Sequence, residues 1–392
     1  MKYFYNKKHK KPLPPVPDIN IVLHDDEDLK AQAQSETFWV LVWRKFRRHN
    51  IAVIGATIAL SFYLFSVIFA DFIAPYGLEQ SHRVYKSAPP QIVRIIDNDG
   101  NWHLRPFVYG FRRELDEITF QRVYKPDYEV KIPLRFFVSG EPYRLLGFIP
   151  TSIRLFGVDG ENMVFIFGSD RLGRCLFSRI IYGGRVSLTI GLIGVVLSLT
   201  IGAITGTISG FYGGHIDNII QRIIELIRSF PTLPLWMALG AAIPDAWPPL
   251  VVFLMISVVL SLIGWGGVSR IVRGMVLSLR ERDFTMAAKG LGASDKRIIL
   301  RHLLPNTASF LVVEATLAIP GMIIGETALS FLGLGLRPPV TSWGVLLEEA
   351  RQVRVLAEQP WLLLPAAFVI VFVLAVNFAG DGLRDAADPY TK

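Results

Sequence analysis

"IAVIGATIALSFYLFSVIFA", residues Ile51 to Ala70, contains no charged side chain. A helix of about 20 mostly apolar residues is long enough to cross the hydrocarbon core of a bilayer. Directly before it, "WRKFRRHN" places Arg44, Lys45, Arg47 and Arg48 against one end. Basic residues that flank a span favour the cytoplasmic side. The sequence therefore predicts a cytoplasmic N-terminal tail over 1–50 and a first transmembrane helix over 51–74.

The composition of the whole chain agrees with a membrane protein. Of its 392 residues, 51% are hydrophobic and 19% are charged, against about 25% charged residues in ordinary soluble domains. The single cysteine, Cys175, excludes an intramolecular disulfide framework. We expect Cys175 to behave as a small buried hydrophobic residue.

Further apolar runs predict an all-α polytopic fold with six transmembrane helices. The third has an amphipathic start and a kink at Pro231 and Pro234. Six spans place both termini in the cytoplasm, with a C-terminal tail over 381–392. Eight Lys and Arg lie over 270–301 and only three over 336–360, a bias that agrees with this topology. The runs after the first are 186–212, 215–244, 250–268, 309–335 and 361–380.

The segment 75–181 holds no apolar run of membrane length, so we expect an external domain between the first helix and the five-helix core over 182–380. In "YEVKIPLRFF", residues 128–137, apolar and polar side chains alternate as in a half-buried strand. Pro133 favours a sheet edge. "IIDNDGNWHL" is typical of a hairpin that turns at Asp99-Gly100. The sequence therefore predicts a mainly β domain.

Two sets of residues inside the spans are candidates for function. Gly202, Gly206, Gly210 and Gly214 recur every fourth residue and would allow another helix to approach closely. Packing within the chain is the favoured interpretation, and a face for a partner subunit is the alternative.

Charged residues inside a bilayer are costly and face a bundle interior or a wet cavity. Glu314 and Glu326 are therefore candidates for the lining or gate of a pathway. The alternatives are interhelical hydrogen bonding and, for Glu314, closeness to the cytoplasmic interface. Ser169 or Asp170 is expected to cap an external helix, with surface charges around it. A role in docking a partner is the alternative.

"TMAAKGLGASDKRIILRHLLPN", residues 285–306, predicts two short helices in a cytoplasmic loop over 270–308. Gly290 or Gly292 is expected to end the first helix, because glycine accepts the left-handed conformation. Ser294 can cap the second helix, and Pro305 is expected to help end it. A surface of small residues with basic flanks fits a cleft on a soluble partner.

This loop resembles the cytoplasmic loop of binding-protein-dependent ABC importer permeases. Ala287, Ala288, Gly292, Leu304 and Pro305 match the motif at its spacing. Met286 stands where the family usually has Glu, and His302 where it has Ile. "GSDRLGRCLFSRIIYGGRVSLTIG", "ALSFLGLGLRPPVTSWGVLL" and "GDGLRDAADP" are similar to stretches of the oligopeptide and dipeptide permease C subunits. Cys175 replaces an Asp of many relatives. The external domain resembles the larger permeases of the microcin C and oligopeptide group.

The resemblance implies a permease subunit in a bacterial inner membrane, with oligopeptides or peptide-like compounds as its cargo. Implied partners are a second permease subunit in a heterodimer, two ABC ATPase subunits and an external solute-binding protein, besides the lipid bilayer. ATP and Mg²⁺ would be bound by the ATPases, with no cofactor or metal in this chain. The expected ATPase-coupling residues are Thr285, Met286, Ala287, Ala288, Gly292, Ser294, His302, Leu304 and Pro305.

Two other functions are compatible with parts of the sequence. A membrane-anchored helix-turn-helix regulator would use the same basic loop, but both loop ends are tethered close to spans, and we expect no nucleic-acid partner. An intramembrane enzyme would need paired catalytic groups. Glu314 and Glu326 lie twelve positions apart, about 18 Å along one helix. The sequence has no phosphate-binding loop and no nucleophile elbow. We therefore expect a translocation subunit without catalytic residues.

Overall fold

The computed structural model describes residues 38–115, 122–145, 147–160, 162–244 and 246–388. Most of the predicted N-terminal tail and the end of the C-terminal tail lie outside these residues. Five helical segments in the described part are long and apolar enough to cross a membrane. They are Asn50–Ile68, Leu176–Tyr212, Pro249–Leu279, Asp295–Phe331 and Pro360–Ala387.

The chain enters the bundle through a helical hairpin. Helix α1, Phe38–Arg48, is followed by His49, whose Nδ1 accepts a hydrogen bond from the backbone N–H of Ala52 at 3.2 Å. That bond satisfies one of the free N–H groups at the start of α2, Asn50–Phe62. The helix widens into a π-helix over Tyr63–Ile68 and is followed by α3, Ala70–Ile73.

Five strands follow α3. The antiparallel sheet β1-β2-β3 contains β1 Arg94–Ile96, β2 Trp102–Leu115 and β3 Arg122–Pro133. The strands β4 Arg135–Leu145 and β5 Ile149–Gly157 form a separate antiparallel pair. The turn expected at Asp99-Gly100 joins β1 to β2, and Gly100 has a φ of +85° there.

The prediction of a single strand over 128–137 is wrong in part, because β3 ends at Pro133 and β4 begins at Arg135. The N–H of Leu134 still donates to the carbonyl of Pro106 on β2 at 2.8 Å, and from Arg135 onward the chain pairs with β5 instead. Ile132 and Leu134 are buried, whereas Tyr128 and Phe136 are exposed. Pro133 ends the edge strand β3, where a residue without an N–H is tolerated.

The long helix α4, Leu176–Tyr212, packs along α7, Pro249–Leu279. In the sequence, α4 and α7 are separated by α5, Gly214–Arg228, and α6, Thr232–Ala241. The third span predicted over 215–244 is therefore two helices separated at Ser229–Pro231, since proline cannot continue the hydrogen-bond ladder. With ten residues, α6 is about 15 Å long, whereas the hydrocarbon core is about 30 Å thick.

The C-terminal half contains the predicted loop and the last spans. Helix α8, Asp283–Gly290, and helix α9, Asp295–Ile298, precede a π-turn over Ile299–Leu303 that continues into α10, Leu304–Phe331. Helices α11 Trp343–Glu348, α12 Val353–Glu358 and α13 Leu364–Ala387 follow. The predicted tail over 381–392 thus begins as part of α13. Trp343 and Phe372 lie in the apolar core that α2, α4, α10 and α13 share.

Candidate functional site

The loop between α7 and α10 is closed by glycine. The N–H of Ala293 donates to the carbonyl of Ala288, and the N–H of Gly292 donates to that of Lys289, each at 3.0 Å. Gly292 itself has a φ of +78°. This is the Schellman pattern, in which a left-handed residue ends a helix. The prediction that glycine ends the first helix is confirmed, with Gly292 in the left-handed position.

The second half of the loop differs from the prediction. Ser294 occupies the N-cap position of α9, but its side chain makes no capping hydrogen bond, and Asp295 lies in the first turn. The expectation that Pro305 ends this helix is wrong. Pro305 lies in the first turn of α10, directly after the π-turn. The extra residue of a π-turn leaves room for a side chain that would disturb a regular helix, so the helix runs on into the span.

The expected coupling residues divide between two faces. The buried hydroxyl of Thr285 donates to the carbonyl of Leu279 at 2.9 Å. Ala288 packs inward against the apolar cluster that holds Val276 and Leu303. These two residues therefore attach the loop to α7 and α10.

The outward face of the loop is apolar. Leu291 is 88% exposed, and Met286, Leu300 and Phe284 are also exposed. Ala287 is exposed between them. We define the loop surface as Phe284, Met286, Ala287, Leu291 and Leu300.

Sequence reasoning missed Phe284, Leu291 and Leu300. Phe284, Ala287 and Leu291 recur at spacings of three and four residues, a helical signal that could have identified them. The ring of Phe284 lies 6.4 Å from that of His302, which connects α8 to the π-turn. Of the other expected residues, Leu304 is half-buried and Pro305 is exposed. Exposed basic side chains rim the surface: Lys289, Lys296, Arg297 and Arg301.

Glu326 lies inside the helix bundle and has no exposed surface. The hydroxyl of Ser187 on α4 donates to its Oε2 at 2.8 Å, and that of Ser330 donates to its Oε1 at 2.9 Å. This geometry matches the interhelical hydrogen bonding that was the alternative to a gate. Glu314 lies half-buried farther along α10, and the structure does not bring the two carboxylates together.

Three of the four predicted packing glycines touch α7. A Cβ placed on Gly202 would lie 2.6 Å from Val268 Cβ, and one on Gly206 would lie 2.5 Å from the carbonyl oxygen of Ser269. A Cβ placed on Gly210 would lie 2.8 Å from the carbonyl oxygen of Arg273. Gly214 is different, because it lies beyond α4 with a φ of +53° and has open space around it. The glycine row therefore serves packing within this chain and ends at Gly210.

A buried ion cluster at the start of α4 replaces the predicted helix cap. The N-cap of α4 is Cys175, which is buried. Asp170 has no exposed surface, and its carboxylate accepts a hydrogen bond from Arg179 at 2.6 Å. Arg179 also donates to Glu349 at 2.6 Å, across 170 positions of sequence. The cap with surface charges is therefore wrong, because Asp170 pairs with arginines in the interior.

Comparisons with known proteins agree on one family. The sequence profile of the binding-protein-dependent transport system inner membrane component matches residues 198–392, and that of the N-terminal TM domain of oligopeptide transport permease C matches residues 37–90.

A putative peptide permease protein of Brucella ovis is 40% identical over 260 residues, which cover 66% of this chain and 83% of that protein. The dipeptide transport system permease protein DppC of Lactococcus lactis is 33% identical over 374 residues, or 93% and 94% of the two chains. The oligopeptide permease OppC of Haemophilus influenzae is 43% identical over 225 residues, or 57% and 70%.

These matches do not support a nucleic-acid-binding regulator. They cover both the first span and the region of the loop and the last spans. This chain belongs to the binding-protein-dependent ABC importer permeases, as a C subunit of the oligopeptide and dipeptide type.

Proposed function

We propose that this chain is one permease half of an ATP-driven importer of oligopeptides or peptide-like compounds. In this proposal the loop surface is the part that an ATPase subunit binds. The observation that carries it is the loop surface itself, because five mostly apolar side chains project from a short loop whose backbone is closed by Gly292. An apolar centre within a charged rim is typical of a protein interface.

Motion of the ATPase would reach the pathway through the inner face of the same loop. Ala288, Ile298 and Leu303 pack against Val272 and Val276 of α7. The π-turn joins the loop to α10 without a break. A displacement of the loop would therefore move the adjoining ends of α7 and α10 together, as alternating access requires.

The partners in this proposal are a second permease subunit in a heterodimer, two ABC ATPase subunits and an external solute-binding protein. The ATPases bind ATP and Mg²⁺ and carry out the hydrolysis, so this chain serves translocation alone. The assembly lies in a bacterial inner membrane with both termini of this chain in the cytoplasm. The β strands between α3 and α4 then belong to an external domain.

A sixth crossing is part of the proposal, and helix directions support it. Gly202 approaches Val268, Gly206 approaches Val272, and Gly210 approaches Val276. Sequence numbers rise together along both helices, so α4 and α7 run parallel. The chain between them must therefore return along the part of α4 that packs against α7 before α7 begins. We propose that α5 and α6 make this return as a broken third span, although α6 alone is too short.

Co-purification tests the proposed function. The full-length chain carrying an affinity tag is isolated from its native membranes in mild detergent, and the retained proteins and small molecules are identified by mass spectrometry. The proposal predicts ABC ATPases, a second permease and a binding protein that holds a peptide. A chain that is isolated without any ATPase, or with a binding protein that holds only another class of compound, would contradict it.

A further inference from the structure

An apolar groove lies between α1, α2, α10 and α13. Its volume is about 390 Å³, within the range of small-molecule sites in proteins. Exposed Leu60 and Trp43 form its open edge. Its lining is Trp39, Val42, Trp43, Phe46, Ala56, Ala59, Leu60, Tyr63, Thr316, Ile319, Val376, Ala379 and Leu383.

The groove extends along α2 from Ala56 to Tyr63, which is about 10 Å or two helical turns. Its lining consists mainly of aliphatic and aromatic side chains. A segment of hydrocarbon chain would bury its apolar surface against such a lining.

One end of the groove is positively charged. Trp39, Trp43 and Arg47 are spaced at i, i+4 and i+8, so Arg47 continues the groove-lining face of α1 by one turn. Arg44, Lys45 and Arg48 share this end of the helix. The nearby end of α13 contributes Arg384 against Asp381, Asp385 and Asp388. The two helix ends together carry five basic and three acidic side chains, so their formal balance is positive.

Lys45 fixes the position of this end by donating to the backbone carbonyl of Asp388 at 3.4 Å. The first span starts at Asn50, directly after the basic residues. The basic end therefore lies where the headgroups of a bilayer begin, and the groove lies at the depth of the acyl chains. Tryptophans and arginines in this arrangement are typical of helices that bind at a membrane interface.

We propose that the groove binds one acyl chain of an anionic phospholipid whose phosphate lies against Arg47 and its basic neighbours. Each basic residue near the phosphate should favour an anionic over a zwitterionic lipid by about fivefold. This lipid site is independent of the loop surface and of the cargo.

Tryptophan quenching by brominated lipids tests the proposal. The full-length chain in detergent is titrated with phosphatidylglycerol or phosphatidylcholine that carry the same brominated acyl chains. The variant Trp39→Phe/Trp43→Phe identifies the signal of these two among the eight tryptophans. We expect phosphatidylglycerol to quench the two tryptophans at a concentration more than about fivefold lower. Arg47→Gln should reduce this ratio by about fivefold, whereas the control Arg228→Gln, an exposed arginine on α5, should leave it unchanged.

A second variant tests the apolar part. Ala56→Phe places a ring in the groove and should weaken quenching by both lipids, with the melting temperature recorded as the control for folding. If this variant does not fold, the comparison of Arg47→Gln with Arg228→Gln still decides the question. Equal quenching by the two lipids, or equal effects of the two arginine variants, would overturn the proposal.

Discussion

The hydroxyl of Ser187 on α4 donates a hydrogen bond of 2.8 Å to the carboxylate of Glu326 on α10. The same hydroxyl accepts the backbone N–H of Trp343 at 3.1 Å. Ser187 is therefore held by Glu326 and in turn fixes the position of Trp343, the first residue of α11. The buried acid acts as a connection between helices, and this role leads to the first prediction.

Glu326→Ala should destabilise the protein by about 1–3 kcal/mol, because it leaves the buried hydroxyls of Ser187 and Ser330 without their acceptor. Glu326→Gln keeps an acceptor oxygen and the shape of the side chain, so it should cost clearly less. Thermal denaturation of the two purified variants in the same detergent measures the difference. A gate would behave differently, since transport would then fail in both variants with unchanged melting temperatures.

Gly206→Ala should weaken the contact of α4 with α7. The new Cβ would lie 2.5 Å from the carbonyl oxygen of Ser269, so backbone must move, at a cost of about 1–3 kcal/mol. Gly267→Ala on α7 is the matched control, because no atom lies within 4 Å of its Cβ position. The control should be neutral or slightly stabilising, since alanine favours helix. Equal melting temperatures for the two variants would contradict the packing role of Gly206.

Asp170→Asn should cost about 3–5 kcal/mol, because it removes a charge partner of Arg179 in the interior. Arg179 is only 1% exposed. The pair Arg135–Asp159 has the same distance of 2.6 Å, but both side chains are half exposed. Asp159→Asn should therefore cost at most about 1 kcal/mol. Denaturation midpoints of the two variants test the comparison, and similar losses would show that burial of the cluster is not what makes it stabilising.

Asp97 gives a prediction about pH. The ammonium of Lys131 at 2.7 Å and the ring of His103 at 2.9 Å hold the pKa of the Asp97 carboxyl below its ordinary value. Because the pKa of this carboxyl is lower in the folded state, its ionisation stabilises the fold at pH values above the unfolded-state pKa of about 3.9. This contribution is lost as the pH falls through the folded pKa.

The backbone N–H groups of Asp99 and Asn101 donate to the same carboxylate. Asp97→Asn should therefore speed hydrogen exchange in the β1–β2 turn at pH 7. The difference from the unsubstituted protein should shrink as the pH falls below about 4. Exchange rates of the peptide that contains this turn, measured at several pH values, provide the test. A difference that stays constant across the range would contradict the account.

Features that depend on local sequence could be predicted. Long apolar runs identified five helices of membrane length, because a bilayer demands length and apolarity within one segment. A glycine at the end of the short loop helix could be predicted, but the sequence left Gly290 and Gly292 open, and the structure gives the left-handed conformation to Gly292. The row Gly202–Gly206–Gly210 correctly indicated close helix packing, although its spacing does not say that the neighbouring helix is parallel.

Features that depend on distant partners could not be predicted. Asp170 looked like a surface cap because Glu349, which shares Arg179 with it, lies far away in sequence. The contact of Ala288 with the apolar cluster depends on the positions of α7 and α10. The break at Leu134 depends on β5, which pairs with the chain from Arg135 onward. Each of these outcomes is decided by tertiary contacts that periodicity does not encode.

The central claim is that the loop surface binds an ATPase subunit, and site-directed crosslinking tests it most directly. The only natural cysteine is buried, so Leu291→Cys introduces a single accessible thiol for a photoreactive probe. Leu104→Cys on β2, at a fully exposed position in the proposed external domain, is the control. In the purified complex, the account predicts a crosslink to the ATPase from position 291 and none from position 104. A crosslink to the ATPase from position 104, or none from position 291 in a complex that contains the ATPase, would contradict it.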